Sequence, residues 1–349
     1  MLGRKVLDRL LSVKAGIVLR RAVINQKLLT RNCAVRRALL YVPGDDENKL
    51  SKALKMKVDC IVMDCEDGVA LNRKKEAREL IKKFLDEGEV TKSDPEWSVR
   101  INPVIDSDLC QSDLEAVLSA KNLPASICLP KVSNVDHLQW VEKVWNELIK
   151  RPEGDRGPIK LIIYIESPTA VINLTDICKK ALDISTMAPI VPVALVFGSD
   201  DMRAGLGAIP TTSRIELLYV RQKIVLVAKA FGFQAIDMVN INYKDIEQLR
   251  EECKEGMKMG YTGKQVIHPH QITVTQDSFV PSRSRVHWAK TITKAFNENL
   301  AKGRGAFTID NAMIDMPTVK QAWNILDAAK AAGKYEEDKR NECPKSIGL

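Results

Sequence analysis

The amino-acid sequence predicts an α/β fold, a (β/α)8 TIM barrel that is followed by a C-terminal lid and a helical extension. From residue 38 onward, eight short apolar and β-branched runs alternate with longer, charged stretches of helical periodicity. Continuously apolar runs are typical of parallel strands that are covered on both faces. A doubly wound sheet has a similar rhythm, but the count of eight favours the barrel. The runs span residues 38–44, 60–68, 98–102, 126–132, 161–167, 194–200, 235–240 and 264–269.

Two of the intervening stretches carry the clearest helix signals. Residues 72–88 place apolar side chains on one face, with Gly88 as the predicted stop. Residues 213–232 open with a capping-box pattern from Ser213 to Glu216 and end on a glycine. Both patterns predict helices that cover the outside of a parallel barrel.

The net charge of +8 is located in the N-terminal segment rather than spread over the chain. Residues 1–37 hold ten lysines and arginines and one acidic residue, and the rest of the chain holds 43 basic and 44 acidic residues. A leader that alternates basic with apolar residues and nearly lacks acids is typical of a mitochondrial transit peptide, although a disordered basic tail has the same composition. The sequence therefore predicts a mitochondrial matrix protein. Its predicted parts are a leader at 1–35, a barrel at 36–299, and a lid, helix and disordered tail at 300–349.

Composition argues against several classes of function. The chain has no stretch of 18 apolar residues, so no membrane-spanning helix and no membrane partner are expected. Aromatic residues make up 5% of the chain and the excess basic residues lie in the leader, so no nucleic-acid partner is expected. The eight cysteines lack CxxC spacing, which argues against structural zinc. Glycine-rich motifs for dinucleotides or nucleoside triphosphates do not occur.

Ionisable side chains recur where the predicted strands end. In barrels of this type the catalytic groups lie at the carboxyl ends of the strands. Any one of these side chains fits equally well in an ion pair that stabilises the barrel end, but their convergence on one rim predicts an active site. They are Tyr41, Asp64, Glu66, Arg100, Lys131, Glu166, Asp200, Asp201, Asp237 and His268.

Two of these carboxylates follow adjacent predicted strands. Glu166 after the fifth strand and Asp201 after the sixth are placed to share a hard divalent cation. Two carboxylates and waters leave positions open for a chelating substrate, as is usual for Mg²⁺. Arg100 supplies a planar cation suited to a carboxylate or a developing oxyanion. Lys49 and Lys52 lie three residues apart on a predicted helix, where they either face a phosphate-bearing ligand or are simply solvated.

The segment 302–317 is predicted to be a loop because it contains glycines and a proline. It is unusually apolar for a loop, which indicates that it packs over a site as a lid or takes part in a subunit contact. Asp315 within it is a candidate general acid/base in a water-poor site. The same residue is equally well placed to cap the helix that begins near Pro317.

Eight motifs occur in order along the chain. They are 39-LLYVPGDDENKL-50, 63-MDCEDGVA-70, 99-VRIN-102, 129-LPKV-132, 164-YIES-167, 197-FGSDDMRA-204, 263-GKQVIHP-269 and 305-GAFTIDNAMIDMP-317. This set resembles the citrate lyase β-subunit-like branch of the HpcH/HpaI aldolase superfamily. The resemblance implies a TIM-barrel protein that forms a homotrimer and binds Mg²⁺. It also implies a retro-Claisen reaction that cleaves (3S)-citramalyl-CoA to acetyl-CoA and pyruvate. It further implies malate synthase, β-methylmalate synthase and malyl-CoA thioesterase side activities.

The matching motifs imply a role for each site residue. Glu166 and Asp201 are the implied metal ligands, and Arg100 is the implied partner of the substrate oxyanion. Asp315 is the implied catalytic acid/base, which reaches into the site of a neighbouring subunit. The implied contacts to the acyl-CoA substrate are Tyr41, Lys52, Arg100, Ile267 and His268.

One position departs from the family pattern. The lysine that often follows the YVPG turn is replaced here by Asn48, with Lys49 beside it. The sequence therefore leaves open whether Asn48 or Lys49 contributes to CoA binding.

Two other functions stay open at this point. A class II aldolase that acts on free 2-keto-3-deoxy acids needs a similar metal site, but the lysine-rich helix and the segment around Asp315 favour a CoA ester. A non-catalytic CoA-ester-binding protein is expected to have lost rim residues, whereas all the predicted metal and catalytic residues are present. The sequence does not choose among citramalyl-, malyl- and methylmalyl-type esters, because one methyl group contributes only about 1–3 kcal/mol of discrimination.

Overall fold

The computed structural model describes residues 34–88, 95–148, 158–186, 188–301, 303, 305–309 and 312–333. The predicted leader lies outside the described residues except for its last two positions, and the predicted tail after residue 333 lies outside them as well. The described chain forms two compact units. The first is Arg36–Gln276, and the second combines residues 34–35 with the chain from Asp277 onward.

The first unit is a closed barrel of eight parallel strands. Each strand pairs with the next along the chain, and β1 closes the ring by pairing with β8. Each of the eight apolar runs coincides with one strand, so the predicted barrel is confirmed. The strands are β1 Ala38–Pro43, β2 Cys60–Asp64, β3 Glu96–Arg100, β4 Ser126–Leu129, β5 Ile159–Ile165, β6 Ile190–Phe197, β7 Gln234–Asp237 and β8 Gly263–Val266.

Helices connect successive strands and continue into the second unit. Within the described ranges, no helix is both long and apolar enough to cross a membrane. The helices are α1 Glu47–Ala53, α2 Lys74–Glu87, α3 Ser107–Leu118, α4 Val135–Leu148, α5 Pro168–Ile172, α6 Leu174–Ile184, α7 Ser199–Leu206, α8 Leu218–Ala230, α9 Ile246–Met259, α10 His270–Ser278, α11 Arg283–Leu300 and α12 Met316–Ala331.

The first of the two predicted helices, α2, forms much as the sequence predicts. It begins two residues later than expected, after a single 3₁₀ turn, and buries Ala77, Ile81 and Leu85 on one face. The N–H of Gly88 donates to the carbonyl of Phe84 and ends the helix there.

The predicted capping box at the start of α8 is wrong. The carboxylate of Glu216 accepts a hydrogen bond from the hydroxyl of Thr211 at 2.6 Å and another from Nε of Arg203 at 3.1 Å. Because these partners from outside the helix occupy Glu216, it does not form the reciprocal cap with Ser213. A 3₁₀ turn takes the place of the first helical turn, and α8 begins at Leu218.

The lumen of the barrel is filled by side chains rather than by solvent. Continuous apolarity is what the strands need, since the lumen covers one face and the helices cover the other. Two tyrosines, Tyr41 and Tyr164, project into this otherwise apolar cluster and bring hydroxyl groups with them. The buried members of the cluster are Leu39, Cys60, Val62, Cys128, Ile162, Tyr164, Ala194, Val196 and Ile236.

The second unit pairs α11 with α12 and adds a short hairpin. The segment predicted to be a loop contains two three-residue strands, β9 Phe307–Ile309 and β10 Ala312–Ile314, which pair antiparallel. Ile314 joins the apolar cluster between the two helices, and Phe307 and Ile309 pack against it. The unusual apolarity of the segment therefore reflects packing on α11 and α12. Met313 stays largely exposed.

Candidate active site

Asp64 at the end of β2 organises the rim of the barrel. Its carboxylate accepts hydrogen bonds from the backbone N–H groups of Glu66 and Gly68, both at 2.9 Å. It also accepts from Nε of Arg100 at 2.7 Å and from Nη2 at 2.6 Å, which makes a bidentate pair. A Cβ at residue 68 would lie 2.6 Å from Oδ2 of Asp64, so this turn requires glycine. Asp64 therefore fixes the loop and the guanidinium together.

Arg100 at the end of β3 is held from several directions. Besides its pair with Asp64, its Nη1 lies 2.7 Å from Oε2 of buried Glu66. Its guanidinium carbon lies 4.8 Å from the centre of the Tyr41 ring, within the range of a cation–π contact. A guanidinium carries five N–H groups, and the described carboxylate contacts engage each nitrogen once. The second N–H groups of Nη1 and Nη2 are therefore left to bind an oxyanion or a ligand carboxylate.

The hydroxyl of Tyr41, a predicted substrate contact, lies in the barrel lumen. Its oxygen is 2.6 Å from the hydroxyl oxygen of Tyr164, and it donates to Oε1 of Gln265 at 2.9 Å. Gln265 in turn donates to two backbone carbonyls at the ends of β6 and β7. Tyr41 therefore supports Arg100 with the face of its ring, while its hydroxyl belongs to the hydrogen-bonded floor of the site.

Lys131, which follows β4, connects the two predicted metal ligands. Its backbone N–H donates to Oε2 of Glu166 at 2.7 Å, and its ammonium lies 3.8 Å from Oδ2 of Asp201. The same ammonium lies 2.7 Å from Oε1 of Glu66 and 3.0 Å from Oδ1 of Asp67. The backbone of Lys131 has φ = +52°, a left-handed conformation that costs a residue with a Cβ about 1–2 kcal/mol.

Glu166, which follows β5, lies in a niche with little water. Its side chain packs against Gly198 so closely that a Cβ there would lie 2.4 Å from Cγ of Glu166. Burial, and after it the neighbouring carboxylate of Glu66, raise the pKa of Glu166 to about 8. Gly198 also precedes α7, whose first turn carries the half-exposed Asp201. Asp201 is near enough for its charge to raise the pKa of Glu166 further.

The rim carries more negative than positive charge, and this excess fits a divalent cation. The raised pKa of Glu166 shows that its negative charge lacks full compensation. Two carboxylates with further oxygen ligands form a donor set that suits Mg²⁺. Within the described part of the chain, no group of three or more His, Cys, Asp or Glu side chains forms a metal cage made of protein alone. The two rim cations, Arg100 and Lys131, face the carboxylates of Asp64, Glu66, Asp67, Glu166 and Asp201.

The pKa of Glu166 predicts how stability depends on pH when a chelator removes divalent cations. A carboxyl whose folded-state pKa is raised contributes stability that is lost as the pH rises from its unfolded value of 4.5 toward about 8. The wild type should therefore lose several kcal/mol relative to Glu166→Gln between about pH 5 and about pH 9. Urea unfolding of both proteins in chelator measures this difference. A difference that does not change with pH would contradict the prediction.

The two lysines of α1 differ in their surroundings. The ammonium of Lys49 lies 3.0 Å from Oδ2 of Asp46, the residue whose side chain also caps the helix. Lys52 is exposed in the last turn. Because Asp46 neutralises part of the charge of Lys49, Lys52 is the stronger candidate to bind an anionic group.

Ile267 and His268 follow β8, the neighbour of β1 in the ring. Ile267 is 42% exposed. The ring of His268 stacks on Tyr243 from the loop after β7, with the ring centres 4.5 Å apart and the planes 21° from parallel. This apolar and aromatic surface suits an extended organic ligand better than an inorganic ion.

Two acidic residues predicted at the rim have other partners. Asp237 is fully buried, and its Oδ2 accepts from Nη2 of Arg221 of α8 at 2.7 Å. Its predicted place among the rim residues was therefore wrong, because its side chain points outward and anchors a helix to the barrel. Asp200 lies 3.1 Å from Nη1 of Arg203 on its own helix, and its side chain is mostly exposed.

Asp315 belongs to the second unit and forms the N-cap of α12. Its Oδ1 accepts from the backbone N–H of Thr318 at 3.2 Å and from the hydroxyl of Thr318 at 3.0 Å. The capping role that the sequence left open is therefore confirmed, and the catalytic role stays a prediction. Both described hydrogen bonds use Oδ1, which leaves Oδ2 for another function.

Comparison with known proteins identifies the family of this chain. The profile of the HpcH/HpaI aldolase/citrate lyase family matches residues 37–269, which include all eight barrel strands. The chain belongs to this family. Its relatives include a rat protein, "Citramalyl-CoA lyase, mitochondrial", which is 44% identical over 294 residues, 84% of this chain and 86% of the rat protein.

Two more distant members are also informative. The "(3S)-malyl-CoA thioesterase" of Cereibacter sphaeroides is 29% identical over 299 residues, which cover 86% of this chain and 96% of that protein. A crystal structure of CitE from Mycobacterium tuberculosis contains magnesium, acetoacetate and coenzyme A. It aligns with a TM-score of 0.65 at 27% identity and covers 86% of this chain and 99% of its own. Related members of the family therefore bind magnesium and coenzyme A.

Sequence reasoning missed the floor of the site and part of its wall. Tyr164 lies inside an apolar run, where its side chain is expected to be buried. Because a buried tyrosine hydroxyl needs a hydrogen-bond partner, the sequence could have predicted that Tyr164 has one. Its partner Tyr41, and Gln265 to which Tyr41 donates, come from strands far apart in sequence, so these contacts had no local pattern. Tyr243 lies in a polar loop, and its stacking on His268 likewise left no trace in the sequence.

Proposed function

We propose that this chain is a Mg²⁺-dependent carbon–carbon lyase that cleaves citramalyl-CoA to acetyl-CoA and pyruvate. The observation that carries the proposal is the 44% identity, across 84% of the chain, to a rat protein of that name. The charge and geometry of the rim support it, because they fit a cation and an anionic, oxygen-rich ligand side by side.

Glu166 and Asp201 would hold the Mg²⁺ ion of this enzyme. The magnesium in the related CitE structure supports a bound Mg²⁺ ion, and the buried position of Glu166 near the charge of Asp201 supports these two residues as its ligands. When bound, the ion supplies Lewis-acid chemistry that makes the hydroxyl of the substrate more acidic. The N–H of Lys131 fixes Oε2 of Glu166, so Oε1 is the oxygen better placed to serve as a ligand.

Arg100 would bind the substrate oxygen on which negative charge develops as the C–C bond breaks. Its remaining N–H groups on Nη1 and Nη2 are aligned before the reaction, because Asp64 and Glu66 hold the other side of the guanidinium. Donors that are already oriented need no reorganisation in the transition state, which is why such groups are effective.

Asp315 would supply the proton that completes the cleavage. The substrate hydroxyl loses its proton to solvent, and its carbon becomes the ketone carbon of pyruvate. The electron pair of the breaking C–C bond moves onto the acetyl group and gives the enolate of acetyl-CoA. Asp315 would protonate the enolate carbon from its free Oδ2 and would remove a proton there in the reverse reaction. The chain would act as a homotrimer in which Asp315 reaches the site of a neighbouring subunit.

The CoA part of the substrate would lie across the ends of β8 and β1. Lys52 would bind a phosphate of CoA, while Ile267 and His268 would contact its organic portion. These two strands are neighbours in the ring, so both contacts fit one extended ligand.

Product analysis tests the proposal directly. The purified chain with Mg²⁺ should convert citramalyl-CoA to equal amounts of acetyl-CoA and pyruvate. Turnover of free 2-keto-3-deoxy acids instead would identify an aldolase, and binding of acyl-CoA without turnover would identify a non-catalytic binding protein. Malyl-CoA belongs in the same assay, because the 29% identical Cereibacter protein is named a malyl-CoA thioesterase. Release of free CoA together with malate would reveal that second activity.

We also propose that the enzyme works in the mitochondrial matrix and that residues 1–35 are its transit peptide. The basic, acid-poor composition of this segment and the word mitochondrial in the rat relative's name support this location. Deleting residues 1–35 should leave kcat/KM unchanged in vitro and should abolish import when the protein is expressed in cells. Fractionation that still recovers the truncated protein in mitochondria would contradict this prediction.

A further inference from the structure

We propose that Lys131 sets the number of protein ligands at the metal site by keeping two further carboxylates paired with its ammonium. This inference rests on the proposed metal-binding role of Glu166 and Asp201. The ammonium contacts Glu66, Asp67 and Asp201, while the backbone N–H of the same residue contacts Glu166. Lys131 thus contacts all four carboxylates, of which only Glu166 and Asp201 are proposed to ligate the ion.

Each oxygen of Glu66 faces one cation in this arrangement. Its Oε1 lies 2.7 Å from Nζ of Lys131, and its Oε2 lies 2.7 Å from Nη1 of Arg100. Asp67 is more exposed and contacts the same ammonium through both oxygens, at 3.0 and 3.4 Å. Each of the two carboxylates therefore has a cation beside it without a metal ion.

The backbone conformation of Lys131 and the contacts of its ammonium group depend on each other. A left-handed conformation normally favours glycine, so a lysine at φ = +52° indicates that its side chain offsets the strain. The other described residue with a Cβ and positive φ, Arg214, also contacts two carboxylates, Glu252 and Glu255. At Lys131 the hydrogen bond from N–H to Glu166 fixes the start of the side chain relative to the metal ligand.

The consequence concerns the positions that remain open on the ion. Mg²⁺ is usually held by one or two carboxylates and keeps its other positions for waters or substrate, whereas Ca²⁺ takes six to eight oxygen ligands in flexible geometry. If Glu66 and Asp67 were released from Lys131, their oxygens would be free to compete with the substrate for the open positions of the ion. Lys131 is thus a positioning residue that preserves an open, Mg²⁺-selective site.

Calorimetric titration of the full-length protein with Mg²⁺ and with Ca²⁺, without substrate, tests this inference. Lys131→Met should bind Ca²⁺ about tenfold more tightly than the wild type and should gain less for Mg²⁺. Lys131→Arg retains the charge and should stay near the wild type. Lys180→Met is the matched control, since it removes the same charge from an ion pair with Glu142 between two outer helices. It should leave both affinities unchanged.

Two further measurements separate released carboxylates from simple loss of positive charge. Asp67→Asn, added to Lys131→Met, should remove most of the gain in Ca²⁺ affinity. In the single variant the KM for citramalyl-CoA should rise about tenfold or more while kcat changes less, because protein oxygens compete with the substrate for the ion. If circular dichroism shows that Lys131→Met does not fold, Lys131→Gln carries the same expectations.

Unchanged or weaker Ca²⁺ binding by the Lys131 variant would overturn the inference. Equal gains for Mg²⁺ and Ca²⁺ would overturn it as well, since loss of one positive charge acts on both ions alike. Failure of the underlying metal assignment is recognised separately. If the metal assignment is wrong, Glu166→Gln should bind Mg²⁺ with the affinity of the wild type, independently of the affinities measured for the Lys131 variants.

Discussion

Glu166→Gln is expected to lower kcat/KM for citramalyl-CoA cleavage by roughly 10³-fold. Glutamine keeps the volume that packs against Gly198 and an oxygen that accepts the N–H of Lys131, so the niche should stay filled. The variant loses the negative charge that would hold Mg²⁺. A metal acting as a Lewis acid stabilises a transition state by several kcal/mol, and about 4 kcal/mol corresponds to roughly 10³ in rate. Steady-state kinetics at increasing Mg²⁺ concentrations measures the loss.

Glu142→Gln is the matched control for this experiment. Glu142 pairs with Lys180 at 2.6 Å between two outer helices, so the same isosteric change there removes a carboxylate that is remote from the rim. This variant should keep wild-type kinetics. Full activity of Glu166→Gln at wild-type Mg²⁺ requirements would mean that the metal is not held at β5.

The barrel and its rim were predictable because both follow from topology. Eight runs covered on both faces close into one ring, and their carboxyl ends then meet at one edge whatever the loops do. Arg100 ends β3 and Glu166 directly follows β5, so counting strands was enough to bring them to that edge. The excess negative charge that fits Mg²⁺ could be anticipated from the same residues.

Contacts that depend on side-chain direction at a strand end could not be predicted. Successive side chains of a strand point to opposite faces, so a shift of one residue separates the rim from the outer helices. Asp237 falls on the outer face and pairs with Arg221. Tyr41 falls on the inner face, and its hydroxyl bonds Tyr164 in the lumen.

The conformation of Lys131 was hidden for a different reason. Glycine or asparagine in a sequence indicates that a left-handed backbone conformation is possible at that position, but lysine does not. Its backbone conformation depends on partners from two other loops, Glu66 after β2 and Glu166 after β5. Local sequence therefore identified Lys131 as a charged rim residue, and only the fold gives it a positioning role.

Asp315→Asn is expected to lower kcat by roughly 10²–10⁴-fold with little change in KM. Asparagine keeps an oxygen that accepts the N–H of Thr318, so α12 should remain capped and the protein folded. The variant cannot exchange a proton with the substrate. Exchange of the acetyl-CoA methyl protons with deuterated water, followed by NMR, should be lost in parallel with cleavage. Asp327→Asn on the same helix is the control and should retain both.

Mixing two inactive variants distinguishes whether Asp315 serves its own subunit or a neighbour. Glu166→Gln keeps Asp315 but loses the metal ligand, and Asp315→Asn has the opposite defect. If Asp315 acts across a subunit interface in a ring, random mixing restores both groups in about one quarter of the sites. If it acts within its own chain, no mixed site contains both groups. Recovery of about a quarter of wild-type activity after co-refolding is therefore the expected result, and continued inactivity of a mixed oligomer would assign Asp315 to its own subunit.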